Sequence, residues 1–139
     1  MNQDQYQPLD LDHSIKSIVA LCYMNERPLQ GLAGHLDWRF HGAISYFLRQ
    51  GALTGREGEC VYIPVRKHER VFHLLMVGAG MAVHPGARDE APEEVFESLR
   101  KNLPALKLPQ VGVSAADFGG LSAAELEKKL KGAELCLLP

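Results

Sequence analysis

The run from Leu36 to Val65, LDWRFHGAISYFLRQGALTGREGECVYIPV, constrains the fold more than any other stretch. Leu36, Phe40, Ile44, Phe47 and Leu48 recur at helical spacing and predict a helix from about Asp37 to Gln50 with one apolar face. Asp37 is placed to accept from the first free N–H groups, and Gly51 stands where a left-handed C-cap is favoured. A Gly-rich turn, Gly51 to Glu59, leads into an apolar strand from Cys60 to Val65. Gly42 falls inside the expected helix, where glycine costs about 1 kcal/mol relative to alanine. Close approach of the helix backbone to a sheet would account for it.

The rest of the chain alternates strands and helices around this stretch. Ile15 to Met24 reads as a strand covered on both faces, followed by a loop that Pro28, Gly31 and Gly34 punctuate. Arg66 to Arg70 is expected to be a five-residue turn between antiparallel strands, and Val71 to Val77, interrupted by His73, the central strand. Gly78 to Ala91 is the longest loop. A helix begins near Pro92 and runs to Asn102 or Leu103, with acids in its first turn and bases in its last. Pro104 and Pro109 bound a connector to a strand at Val111 to Ala115. Ser122 and Glu125 form a capping box, Leu121 and Leu126 are spaced as a hydrophobic staple, and Gly132 ends that helix before a last strand, Glu134 to Leu138. This order implies an α/β protein, a three-layer α/β/α sandwich on a mixed sheet of five or six strands. Residues 1–14 read as a polar arm, with a short edge strand near Leu9 to Leu11 at most, and residues 15–139 as one domain.

At 139 residues the chain can bury one substantial core. No apolar run approaches the roughly 20 residues that span a bilayer, and the start, MNQDQYQPLDLD, has no basic region followed by an apolar one. The expectation is a cytoplasmic protein with no membrane partner. A net charge of −2 argues against nucleic acid as the partner. Cys22, Cys60 and Cys136 lie in apolar runs without C-x-x-C spacing, which favours free buried thiols.

Four pieces of the sequence, in order and at natural spacing, resemble the N-terminal domain of the leucyl aminopeptidase family, peptidase family M17. They are Asp37, the helix core Gly42-Ala43-Ile44-Ser45, the run Gly51-Ala52-Leu53-Thr54-Gly55-Arg56-Glu57-Gly58-Glu59, and the strand end Val77-Gly78-Ala79-Gly80. The resemblance covers about residues 15 to 138 and implies a macro-like sandwich. That family does its chemistry with two metals in a separate C-terminal domain, which this chain lacks, so none of its catalytic residues carries over. The resemblance therefore implies a non-enzymatic chain with no cofactor: a stand-alone interaction or oligomerisation module, self-associating or bound to a protein partner. The alternatives are a nucleotide-binding or other small-ligand-binding macro-like domain, and a fragment of a full metallo-aminopeptidase.

For the ligand-binding alternative the candidate residues are Asn25, Gly34, Asp37, Gly78 and Gly80. Macro domains that bind ADP-ribose resemble one another in an Asn-rich strand end, a Gly-rich phosphate loop and a helix containing G-A-I. Here the matching stretch, Gly31 to Trp38, interrupts its glycines with Leu32, Leu36 and Trp38 and adds Asp37. A like charge ~4 Å from a phosphate, at an effective dielectric near 20, costs about 4 kcal/mol. The sequence thus predicts binding of ADP-ribose, ATP or NAD no tighter than about millimolar. Gly78-Ala79-Gly80 could bring backbone N–H groups to a phosphate, but Val83 stands where a dinucleotide fingerprint needs a third glycine. His35, Asp37 and His41 could supply three metal ligands, although Asp and His at a helix start more often cap or meet solvent, and no metal is expected. No nucleophile elbow is present.

Overall fold

The computed structural model describes residues 15–88, 90–107, 110–131 and 133–138; the arm at 1–14, with its edge strand near Leu9, and the helix stop at Gly132 lie outside them. Five strands, β1 (Ser17–Tyr23), β2 (Cys60–Lys67), β3 (Arg70–Gly80), β4 (Val111–Ser114) and β5 (Leu135–Leu138), form one sheet in the order β2-β3-β1-β4-β5. β1 runs parallel to β3 and β4, β4 parallel to β5, and β2 antiparallel to β3, which makes the sheet mixed as expected. Helices α1 (Gly31–Arg39) and α2 (Ala43–Arg49) cover one face; α3 (Glu93–Leu106) and α4 (Ala123–Leu130) cover the other.

The central strand is β1, not the Val71–Val77 run. All seven β1 residues are buried. Because strand side chains alternate, Val19, Leu21 and Tyr23 pack with α3 and α4 while Ile18, Ala20 and Cys22 pack with α1 and α2. β3 divides in the same way, Leu75 and Val77 against Leu74 and Met76, but lies one place off centre with β2 outside it.

The expected helix from Asp37 to Gln50 is two helices. The break falls at His41 and Gly42, both with positive φ (55° and 82°). A Cβ built on Gly42 meets nothing within 4 Å, so this glycine supplies a left-handed backbone rather than close contact with the sheet. Asp37, in the last turn of α1, caps the second helix from outside: its carboxylate accepts from Ser45 N at 2.8 Å and from Ser45 Oγ at 2.5 Å. One of the donors orphaned at the start of α2 is satisfied in this way.

Other expectations shift in detail. The β2–β3 turn is two residues, not five, because pairing continues to Lys67 opposite Arg70. His68 and Glu69 then both take positive φ, the geometry that matches strand twist in a two-residue hairpin. α3 continues through Pro104 to Leu106, with the proline in its last turn. α4 has both halves of the Ser122–Glu125 capping box, and the local signal was sufficient there. Among the described residues no helix is long and apolar enough to cross a membrane.

Candidate functional site

β1 leads to α1 on one face of the sheet, while its neighbours β3 and β4 lead to helices on the other face. Loops that leave adjacent parallel strands in opposite directions open a crevice at the carboxyl ends of those strands. Here the crevice is bounded by the loop after β1, the loop after β3 and a 3-10 turn, Ala115–Phe118, after β4.

Three charged side chains meet in it. Glu26 and Asp117 are almost completely buried, at 1% and 2% exposure. Arg88 donates from Nη1 to Glu26 Oε2 at 2.5 Å and from Nη2 to Glu26 Oε1 at 2.9 Å, and its Nε lies 3.7 Å from Asp117 Oδ1. Gly86 N adds a third bond to Glu26 Oε2 at 2.7 Å. The Arg88 guanidinium stacks over the Tyr23 ring at 4.6 Å. Asp117 accepts from the backbone N–H of Leu21 at 3.3 Å and from that of Leu32 in the first turn of α1, so the chain's own carboxylate sits at that helix N-terminus. Burial pushes the Asp117 carboxyl above the usual carboxylate range, against the pull of the Leu21 N–H and Arg88. Burial works against the Arg88 charge too, but Glu26 beside it outweighs burial and keeps it protonated. Each ion taken out of water loses several kcal/mol of solvation, which only close pairing of this kind can offset.

Beside the triad lies a cleft of about 380 Å³ lined by Tyr23, Glu57, Ala79, Met81, Val83 and Glu90 among others. Met81 and Val83 are largely exposed at its rim. Glu57 shares a hydrogen bond with Glu94, which raises the pKa of Glu57 and lowers that of Glu94.

The residues expected from sequence are dispersed by the structure. Asn25 is at the crevice, but its amide is engaged with Ala82, donating to Ala82 O at 2.8 Å and accepting from Ala82 N at 2.9 Å. Gly34 lies within α1, where a Cβ would come within 2.5 Å of Leu29 O, so it serves helix–loop contact. Asp37 is turned to Ser45, and Leu32 and Leu36 are buried against the sheet, so the obstacles read into this stretch do not stand in the crevice. Gly78 N donates to Glu59 O and Gly80 N to Gly55 O, and a Cβ on Gly78 would fall 1.8 Å from Arg56 O. These two glycines admit the 54–59 loop, which Glu59 gathers by accepting from Thr54 N, Thr54 Oγ1 and Gly55 N. His35 is buried, Asp37 is bonded to Ser45, and no group of three or more His, Cys, Asp or Glu among the described residues could hold a metal ion. Cys22, Cys60 and Cys136 are free, but only Cys22 is buried as expected, Cys60 and Cys136 being half-buried; burial pushes the Cys22 thiol up to about 11, far from a nucleophilic thiolate.

Sequence reasoning missed Tyr23, Glu26, Arg88 and Asp117. The available signal was position: Glu26 and Asp117 each follow a buried strand by a few residues, where open α/β sheets place crevice groups.

No protein-family model matches the chain, and no curated protein matches it. Among solved structures it is similar to the macrodomain of Mycobacterium tuberculosis DarG, at 13% identity and a TM-score of 0.63, over 93% of this chain and 91% of that one. It is similar to the macrodomain of Thermus aquaticus DarG at 13% identity and a TM-score of 0.61, over 93% and 92%. The fold is macrodomain-like. The expectation of a non-enzymatic chain is corrected by this finding. It rested on a catalytic domain missing from an aminopeptidase, whereas the structural neighbours are macrodomains of nearly the same length.

Proposed function

We propose that this chain is a macro-like domain that binds a nucleotide-type small ligand in the crevice at the carboxyl ends of β1, β3 and β4. The observation that carries the reading is the Glu26–Arg88–Asp117 triad, three charges assembled at the strand-order reversal beside a cleft of small-ligand size. A triad of this kind is hard to account for as core, since well-packed apolar groups of similar volume are often as stable. Arg88, with both arms of its guanidinium engaged by Glu26, fixes the loops that wall the cleft. Met81, Val83 and Tyr23 offer apolar and aromatic surface for a base, and Glu57 and Glu90 accept from amino or hydroxyl groups. Some macro domains bind ADP-ribose, and the macrodomain-like fold makes that compound the first ligand to test. The hydrogen bond shared with Glu94 raises the Glu57 pKa, a direction that favours general-acid work, so hydrolysis of a bond in the ligand is the reaction class to test.

The four motifs shared with the leucyl aminopeptidase N-terminal domain support kinship with that family at the level of this domain alone. The exposed Met81 and Val83, which an interaction module would also use, line the same cleft.

Calorimetry with ADP-ribose, AMP and ribose tests the reading. ADP-ribose is expected to bind at about 10–100 μM, and Met81→Asp and Val83→Asp to weaken it at least about tenfold with unchanged melting. No heat with ADP-ribose at about 1 mM, or heat that Met81→Asp and Val83→Asp leave unchanged, would refute the proposal. Release of ADP-ribose from an ADP-ribosylated peptide, slowed by Glu57→Gln, tests the hydrolytic part.

A further inference from the structure

A second hollow, of about 470 Å³, opens at the other end of the sheet, where α1 ends and β2 turns into β3. β3 is eleven residues long, so roughly 30 Å of extended chain separates this hollow from the crevice. Trp38, Arg39, His41, Lys67, His68 and Arg70 line it, with Phe72. None of these is a carboxylate, and three carry permanent positive charge in a chain whose net charge is −2. Of the acids nearest in sequence, Asp37 is bonded to Ser45 and Glu69 stands exposed at the hairpin tip. Among the described residues no carboxylate pairs with Arg39, His41, Lys67 or His68.

The cations are held in place. Lys67 Nζ donates to Arg39 O at 2.8 Å and lies 5.7 Å from the centre of the Phe40 ring, so it is anchored although no acid holds it. Arg39 Nε is shielded from solvent and has no hydrogen-bond partner among the described residues. Trp38 is half exposed at the rim, with its ring set against that of His35 at 6.3 Å and 23°. A flat aromatic face beside clustered cations suits a compound that carries both a ring and a phosphate. A hollow of about 470 Å³ is of small-molecule size.

We propose that this hollow is a separate site for a mononucleotide-sized phosphate ester bearing a flat ring. Arg39, Lys67 and His68 meet the phosphate, and Trp38 receives the ring. The inference does not depend on ligand binding in the crevice.

Trp38 is the only tryptophan in the chain, so its fluorescence reports on this hollow directly. Titration of the full chain with AMP is expected to quench it saturably, with a midpoint below about 1 mM. Inorganic phosphate is expected to compete with AMP. Lys67→Glu and Arg39→Gln should each raise the midpoint about tenfold, while Met81→Asp, at the distant crevice, leaves it unchanged. Two substitutions are used so that a misfolded variant, recognised by its melting curve, does not decide the result. Absence of saturable quenching at about 5 mM, or equal loss in Met81→Asp, would overturn the proposal. Oligothymidylate binding that strengthens with length beyond a few nucleotides would also overturn it, in favour of a single-strand surface.

Discussion

Arg88 grips Glu26 with both arms of its guanidinium and so ties the loop after β3 to the loop after β1. Glu26→Gln removes one charge and leaves the other desolvated. The expected loss of stability is about 3 kcal/mol, at the low end for a broken buried pair because Arg88 keeps an edge to solvent. Urea denaturation measures it; a loss below about 1 kcal/mol would mean that Arg88 is held well enough by Asp117 and Tyr23.

Burial, and after it the charge of Arg39, pushes the His35 imidazole from 6.5 down to about 4. The unfolded chain takes up that proton at a higher pH than the folded one. Stability from this group is therefore fully present above pH 6.5 and is lost as pH falls towards about 4. With solvent screening allowed for, the expected loss is roughly 1–2 kcal/mol. Thermal melts at pH 7.5, 5.5 and 4 should show a smaller decline for His35→Gln than for the parent, and parallel declines would assign the effect to other groups.

Two glycines are expected to respond differently to alanine. At Gly42 there is open space but a φ of 82°, so Gly42→Ala costs about 1–2 kcal/mol, and Gly42→Leu nearly the same. At Gly78 a Cβ would fall 1.8 Å from a backbone oxygen, so Gly78→Ala forces the 54–59 loop off β3 and costs at least about 3 kcal/mol. Melting temperatures of the three variants check this ordering; Gly42→Leu falling well below Gly42→Ala would place that residue against a neighbour.

Asp37→Ala removes both hydrogen bonds to Ser45. A loss of about 1–2 kcal/mol is expected, as for a missing N-cap. Denaturation of Ser45→Ala and of the double variant completes the cycle: strictly additive losses would mean that the bond stabilises nothing.

What the sequence made legible was what local spacing encodes. β1 is buried on both faces, as its apolar run requires, and the Ser122–Glu125 box closes within four residues. The helix break at His41 and Gly42 was harder to see, because apolar spacing continues across it and only the unusual glycine marks it. The hairpin tip gave no signal, since His68 and Glu69 are not residues that favour positive φ. The triad was out of reach for another reason: Glu26 and Arg88 are 62 positions apart, and nothing local to either announces the other. Asn25 was singled out for a ligand, yet its partner is Ala82, 57 residues on.

Asn25 and Glu26 are neighbours, and each fastens a different point of the same loop, Ala82 by one and Gly86 with Arg88 by the other. Between those anchors only Val83, His84 and Pro85 span the gap, with Val83 78% exposed. Access to the crevice can therefore be governed by a three-residue flap. A ligand that lifts its tip need not undo either fastening, and an entry step of that size involves bending a short segment rather than unfolding a long one.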